Sequence, residues 1–274
     1  MIDVNRRVLP GFALSLGYTL LYMSLVIAVP IAAGIVKASH LTLAEFWAAV
    51  SSARAVAAYE LTVGASFVSA AVNVVIGLLV AWVLVRYDFP LKRLLDSLVD
   101  LPFALPTAVA GLVYSDLFVA RGWYGRVLVP LGIQGAYSRL GIVLVLVFIG
   151  FPFVVRTLEP VLQSLEKDVE EAAACLGANR LQTFRRVIFP SILPAVVTGF
   201  ALAFARALGE YGSVIFISGN MPFRTEIAPV LVVARLEEFA YAEATAIAVV
   251  ILAISFVTLF IINLLERWST RHRG

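Results

Sequence analysis

Six stretches of this chain, at about 11–36, 59–85, 97–119, 140–160, 191–217 and 243–265, stay apolar for long enough to cross roughly 30 Å of hydrocarbon as helices. A backbone in lipid must satisfy its own N–H and C=O groups, which leaves helices or a closed barrel. The runs lack the alternation of barrel strands, so the fold class is all-α: a polytopic membrane protein with about six transmembrane helices. With 61% hydrophobic and 14% charged residues, against about 25% charged in soluble domains, a water-soluble core is excluded. The formal net charge of +3 carries no argument for nucleic acid.

Arg6 and Arg7 precede the first run in the manner of a secretory leader. That run is about twice the length of a leader's apolar region, so it reads as a retained first span. Orientation follows from the basic residues. With a cytoplasmic N-terminus, the inner set holds Arg6, Arg7, Arg86, Lys92, Arg93, Arg156, Lys167, Arg180, Arg185, Arg186, Arg267, Arg271 and Arg273. It outnumbers the outer set of Lys37, Arg54, Arg121, Arg126, Arg139, Arg224 and Arg235, which places both termini in the cytoplasm. The whole chain, 1–274, reads as a single transmembrane domain.

Prolines interrupt several spans. Pro30 lies in the first, Pro102 and Pro106 open the third, and Pro152 lies in the fourth. Each removes a backbone donor, and such breaks persist in membranes where protein or a water-filled cavity re-satisfies the freed groups. Packing curvature accounts for a single proline. The pair in "LPFALP" fits a bend that lines a pathway.

One segment does not fit its apolar surroundings. "DVEEAAACLGANRLQTFRRVIFPSILP" lies between the fourth and fifth spans, on the cytoplasmic side in this orientation. Asp168 and Glu171 have the spacing of a capping box, and Gly177 is the permissive residue at which a short helix ends. Asn179 and Gln182 repeat the cap for a second short helix, expected to stop before Pro190. Ala172, Ala173 and Ala174 give the first helix a face that another protein can approach closely. Leu181, Phe184, Val187 and Ile188 offer apolar contacts beyond the turn. Amphipathicity alone does not separate a docking loop from a partnerless interfacial loop.

"EAAACLGANRLQTFRRVIFP" decides between them, because it resembles the EAA loop of membrane subunits of ABC importers. Glu171, Ala172 and Ala173 are followed after three residues by Gly177 and after nine more by Val187, Ile188, Phe189 and Pro190. Val187 and Phe189 stand where the family more often has isoleucine and leucine. The resemblance implies that 166–190 forms the cytoplasmic coupling loop, with Glu171, Ala172, Ala173, Gly177, Phe184 and Pro190 docking an ATP-binding subunit. A finer resemblance extends over nearly the whole chain. "RRVLPGFALSLG", "LLDSLVDLPFALPTAVAGL", "GFPFVVRTLEPVL" and "ALGEYGSVIFISGNMPFRTEIAPVLVVARLEEFAYAEATAIA" look like the sulfate/thiosulfate permease family. Molybdate and tungstate permeases share part of this pattern.

The resemblance implies the type I ABC importer permease fold in a bacterial inner membrane. Its implied partners are a second related permease subunit, two ATP-binding subunits and a periplasmic sulfate-binding protein. No cofactor is expected on this chain; ATP and Mg belong to the ATPase subunits. The lysines, Lys37, Lys92 and Lys167, fit no phosphate loop, so a motor must be borrowed. Bringing in a dianion against about 100 mV costs about 4.6 kcal/mol, which explains the need for one.

Candidate pathway residues are Arg206, Glu210, Ser213, Ser218 and Asn220, with Pro102 and Pro106. Arg206 and Glu210 are spaced to pair on one helix face. Two readings stand: an ion pair that locks the helix, or an arginine that attracts an oxyanion while the glutamate limits its affinity. Ser213, Ser218 and Asn220 are neutral donors that serve a transient anion contact or a helix-end turn equally well. Cys175, the lone cysteine, and the separated His40 and His272 give no disulfide framework or metal cluster. A membrane-embedded enzyme would need a nucleophile or metal set that the chain does not present, and a passive anion channel would have no use for a docking loop.

Overall fold

The computed structural model describes residues 11–271. Arg6, Arg7, His272 and Arg273 lie outside the described residues. Among these, five helices are long and apolar enough to span a membrane: Phe12–Ala38, Ala53–Arg86, Arg139–Gln163, Arg180–Leu208 and Tyr241–Leu264. The last belongs to a helix that continues to Arg271. The all-α expectation therefore holds, with one correction to the number of long spans.

The third expected span, 97–119, is broken. An amphipathic helix, Lys92–Val99, is followed by the single turn Leu101–Ala104 and then by Thr107–Phe118. Pro102 fits the first turn of Leu101–Ala104, where its missing N–H costs nothing. It is Pro106, the N-cap of Thr107–Phe118, that separates the two helices by holding Leu105 before it in extended geometry. Twelve residues rise only about 18 Å, too short to cross the hydrocarbon alone.

Three helices form the centre. Ala53–Arg86, Arg139–Gln163 and Phe189–Leu208 pack pairwise along their lengths. Small residues allow the approach: a Cβ on Gly77 would lie 2.7 Å from a methyl of Val154. Without a hydrophobic force between helices in lipid, such close contact is what holds them. Val154, Val155, Leu158, Ile192 and Phe204 are fully buried at this junction. Pro152 is buried here too, inside a helix that continues through it.

The first span packs more loosely, through Val29–Ala38, against the last helix. Its Phe12–Met23 half buries no residue, as suits a lipid-facing helix. On the loop between the first two spans, Thr42 and Glu45 close a full capping box. The Thr42 backbone N–H is the main cause holding the Glu45 carboxyl below its ordinary range.

Two spans carry a π-turn just before a proline. Ser24–Ala28 precedes Pro30, and Phe184–Ile188 precedes Pro190. A proline ring clashes with the carbonyl four residues back. The wider turn makes room for it, with the Phe189 N–H reaching back five residues to Phe184. The helix from Arg180 therefore runs through Pro190 to Leu208, whereas the sequence reading ended it before that proline.

Candidate functional site

The segment between the fourth and fifth spans folds as two helices meeting at a glycine. The first is Lys167–Cys175. Its N-cap is Glu166, without a side-chain cap, so the expected capping box of Asp168 and Glu171 does not form. Asp168 and Glu170 instead occupy the first turn, where they complement the positive end of the helix dipole. At the other end Gly177 adopts φ 82°, Gly177 N bonds Ala174 O and Ala178 N bonds Ala173 O. This is a Schellman cap, in which only a residue without Cβ adopts the left-handed position freely. Asn179 then caps Arg180–Thr183 in a complete box with Gln182, as its spacing predicts.

The exposed face of this segment carries Glu171, Ala172, Ala174 and Cys175, with Ala173 half-buried. Val169, Leu176 and Leu181 are 47%, 88% and 62% exposed on the same segment. Phe184 differs from its expected role. It turns inward, edge-on to Trp82 at 6.2 Å and 6.0 Å from Phe189. Ile188 is buried as well and Val187 half-buried, which leaves Leu181 as the fully exposed apolar residue of the second arm. Pro190 is half-buried in the first turn of Phe189–Leu208.

A second constellation lies where two broken spans meet. The fifth span ends at Leu208, not near 217, so Glu210 and Ser213 lie in a turn beyond it. Arg206 still reaches Glu210, Nη1 to Oε2 at 2.5 Å. Glu210 Oε1 accepts from Ser213 N at 2.9 Å and from Ser213 Oγ at 3.0 Å. Both carboxylate oxygens thus have partners within the protein. Its side chain is 3% exposed, while that of Arg206 is 32% exposed.

This turn packs on the shortened third span. A Cβ on Gly212 would lie 2.4 Å from Thr107 Oγ1, and one on Gly111 would lie 2.2 Å from Ser213 O. Pro106, as the cap of that helix, is brought to the turn through its neighbour Thr107. Pro102 stands one short helix away. Ser218 and Asn220 serve their own loop: Ser218 Oγ donates to Asn220 Oδ1 at 2.6 Å, and Asn220 Nδ2 donates to Ile215 O at 2.9 Å. Gly219 and Asn220 both have positive φ, the signature of a tight turn.

Among the described residues, ion pairs that sequence reasoning missed centre above all on Arg156, Arg54 and Arg86. Arg156 donates to Asp96, Asp100 and Glu159 at 2.6–2.8 Å. It thereby clamps the amphipathic segment to the fourth span. Beside it lies a cavity of about 530 Å³ lined by Asp88, Lys92, Arg93 and Gln163, among others. The Arg156 hydrogen bond holds the Asp100 carboxyl below its ordinary range. Arg54 makes a two-pronged pair with Glu226 at 2.7 and 2.8 Å. Arg86 pairs with Glu170 of Lys167–Cys175. These partners are 56 to 172 residues apart apart from Glu159, so no local spacing announces them.

Long crossing helices around a small-residue core, two interrupted spans and an exposed two-helix loop define a multi-pass membrane protein. The chain belongs to the family described as the binding-protein-dependent transport system inner membrane component, which it matches over residues 73–272. It is 50% identical to the sulfate transport system permease protein CysT of Salmonella typhimurium, covering 96% of this chain and 95% of that protein. It is 52% identical to the protein of the same name from a Synechocystis species, covering 93% and 89%. In fold it resembles a chain of a bacterial alginate ABC transporter, with a TM-score of 0.75 at 18% identity over 93% of both chains. The MetNI methionine ABC transporter is more distant, with a TM-score of 0.58 at 19% identity over 85% of this chain and 99% of that one. This is therefore a multi-pass ABC transporter subunit of the bacterial inner membrane.

Proposed function

We propose that this chain is the translocating subunit of an ATP-driven importer of sulfate, with thiosulfate as a second substrate. The observation that carries the reading is identity of about half the residues, over nearly the full length, with sulfate transport permeases. Both termini face the cytoplasm. The loop 166–190 docks an ATPase subunit, with Glu171, Ala172, Ala173 and Gly177 forming the approach surface. Val169, Leu176 and Leu181 supply the apolar contact. Phe184 and Pro190 act from behind by fixing the second arm to the membrane helices.

Two ATP-binding subunits carry ATP and Mg, a second related permease completes the pathway, and a periplasmic sulfate-binding protein delivers the ion. Within the pathway Arg206 is the residue offered to the anion. Glu210 is fully engaged by Arg206 and Ser213, so it tempers the charge of the arginine without facing the ion itself. A single half-buried guanidinium is strong enough to attract a dianion and weak enough to let it leave. Pro106 and the turn 209–213 shape the wall by interrupting the two spans at one place.

The test is ATP-dependent uptake of radiolabelled sulfate by the reconstituted complex, with thiosulfate and molybdate as unlabelled competitors. Competition by thiosulfate and little effect of molybdate is the expected result. Transport of molybdate without sulfate overturns the substrate. Uptake that persists without ATP would replace the importer with a channel.

A further inference from the structure

The docking loop holds two adjacent glutamates with different fates. Glu171 is exposed, while Glu170, one residue earlier, is half-buried and reaches the crossing helix Ala53–Arg86. Its carboxylate accepts from Nη2 of Arg86, the last residue of that helix. The pair is sheltered, with side chains 14% exposed for Arg86 and 30% for Glu170. The Arg86 guanidinium also lies over the Trp82 ring, one turn earlier, at 5.1 Å from its centroid. Trp82 in turn meets Phe184, on the far side of the Gly177 turn, edge-on.

The final turn of Ala53–Arg86 thus grips both arms of the loop: Glu170 before the glycine and Phe184 after it. Along the chain, the loop connects only to the helices Arg139–Gln163 and Arg180–Leu208. Without Arg86, a displacement of Lys167–Cys175 would reach Ala53–Arg86 only through those neighbours. With it, the displacement arrives directly at a helix that packs on both of them.

We infer that Arg86 and Glu170 are positioning residues of transport: their ion pair passes movement of the docking helix to Ala53–Arg86, so that motor turnover and ion passage stay in step. The inference rests on the reading of 166–190 as the motor-docking loop. It assigns to Glu170 a coupling role distinct from that of Glu171, one glutamate tying the loop inward while the other faces the partner.

The experiment uses the complete complex in vesicles and measures sulfate uptake and ATP hydrolysis on the same preparation. The variants are Arg86→Ala, Glu170→Gln and the exchange Arg86→Glu with Glu170→Arg. Each single variant should keep assembly and hydrolysis while sulfate moved per ATP falls at least about fivefold, the lower range of a typical coupling energy between sites. The exchange should recover most of that ratio, a rescue that a purely structural role of either residue does not produce. An unchanged ratio in both single variants overturns the inference, as does an exchange that restores nothing. Should Arg86→Ala fail to assemble, Glu170→Gln still decides, because it keeps the shape of the side chain and removes its charge.

Glu171→Lys and Gly177→Pro separate this inference from the reading beneath it. Normal uptake in those two variants removes the docking loop itself. Lost uptake there, with a normal ratio in Glu170→Gln, removes only the Arg86 link.

Discussion

Gly111→Ala probes the place where the two broken spans touch. The added Cβ would stand 2.2 Å from Ser213 O and 2.8 Å from Ser213 C and Cα, all backbone atoms, against an ordinary contact of 3.4 Å or more. About 1 Å of relative movement is needed, and it cannot come from a flexible side-chain tip. Overpacking of this kind costs about 3 kcal/mol at the upper end of its range. Replacing glycine by alanine inside a helix returns about 1 kcal/mol. The net loss of about 2 kcal/mol corresponds to a melting temperature lower by roughly 4–8 °C for a chain of this size. Gly64→Ala is the matched control, since nothing lies within 4 Å of a Cβ there, and it should raise the melting temperature by about 2–4 °C. The assay is thermal unfolding of the purified complex, with sulfate uptake measured in parallel. Because Ser213 also holds Glu210, uptake in Gly111→Ala should fall even below the melting range. Equal upward shifts in both variants would refute the steric argument and with it the contact between the two breaks.

Three further outcomes are expected. Asn73 is fully buried in the central packing with neither amide atom partnered. Asn73→Ala should leave stability unchanged or raise it, because removing an orphaned polar group returns about 1–3 kcal/mol against a small cavity; a fall of several degrees in thermal unfolding would show that a bound water satisfies the amide. Gly177→Val should weaken the Schellman cap by about 1–2 kcal/mol, since φ 82° forces a β-branched residue into the left-handed region. Faster proteolysis within 166–190 reports it. The Asp100 carboxyl, held below its ordinary value of 3.8 chiefly by the Arg156 hydrogen bond, contributes stability above that pH and loses it as pH falls through the lowered value. The melting difference between the protein and Asp100→Asn should therefore be constant from about pH 5 to 8 and shrink in stronger acid.

The helices that hydropathy predicts are the ones whose apolar length exceeds what a span needs, and in the first, second, fourth and sixth runs their ends moved by only a few residues. The third run misled because hydropathy sums over a break: "LPFALPTAVAG" is almost wholly apolar, yet Pro106 holds Leu105 in extended geometry in its middle. The fifth run erred in the same way, for Gly209 to Ser213 leave the helix inside an apolar window. Conversely, Pro190 looked like a stop and is not one, because a π-turn absorbs it. In the loop 166–190 the local chemistry was readable: the Asn179–Gln182 box and the Gly177 cap each involve neighbours a few residues apart. The direction of Phe184 was not, since it depends on Trp82 in another span. The same holds for Arg54 with Glu226 and Arg156 with Asp96 and Asp100, whose partners only tertiary packing brings together.

The π-turn at Phe184–Ile188 also acts as an index mark. Each residue advances an α-helix by about 100° of azimuth, so the one extra residue in that turn sets how everything before Phe184 is rotated relative to the membrane-buried part beyond Pro190. Deleting it would return the Pro190 ring to its clash with the carbonyl four residues back and swing Leu181 by roughly a quarter of a revolution. The aim of the exposed surface is therefore set in whole-residue steps, and gradual side-chain substitution has no means of adjusting it.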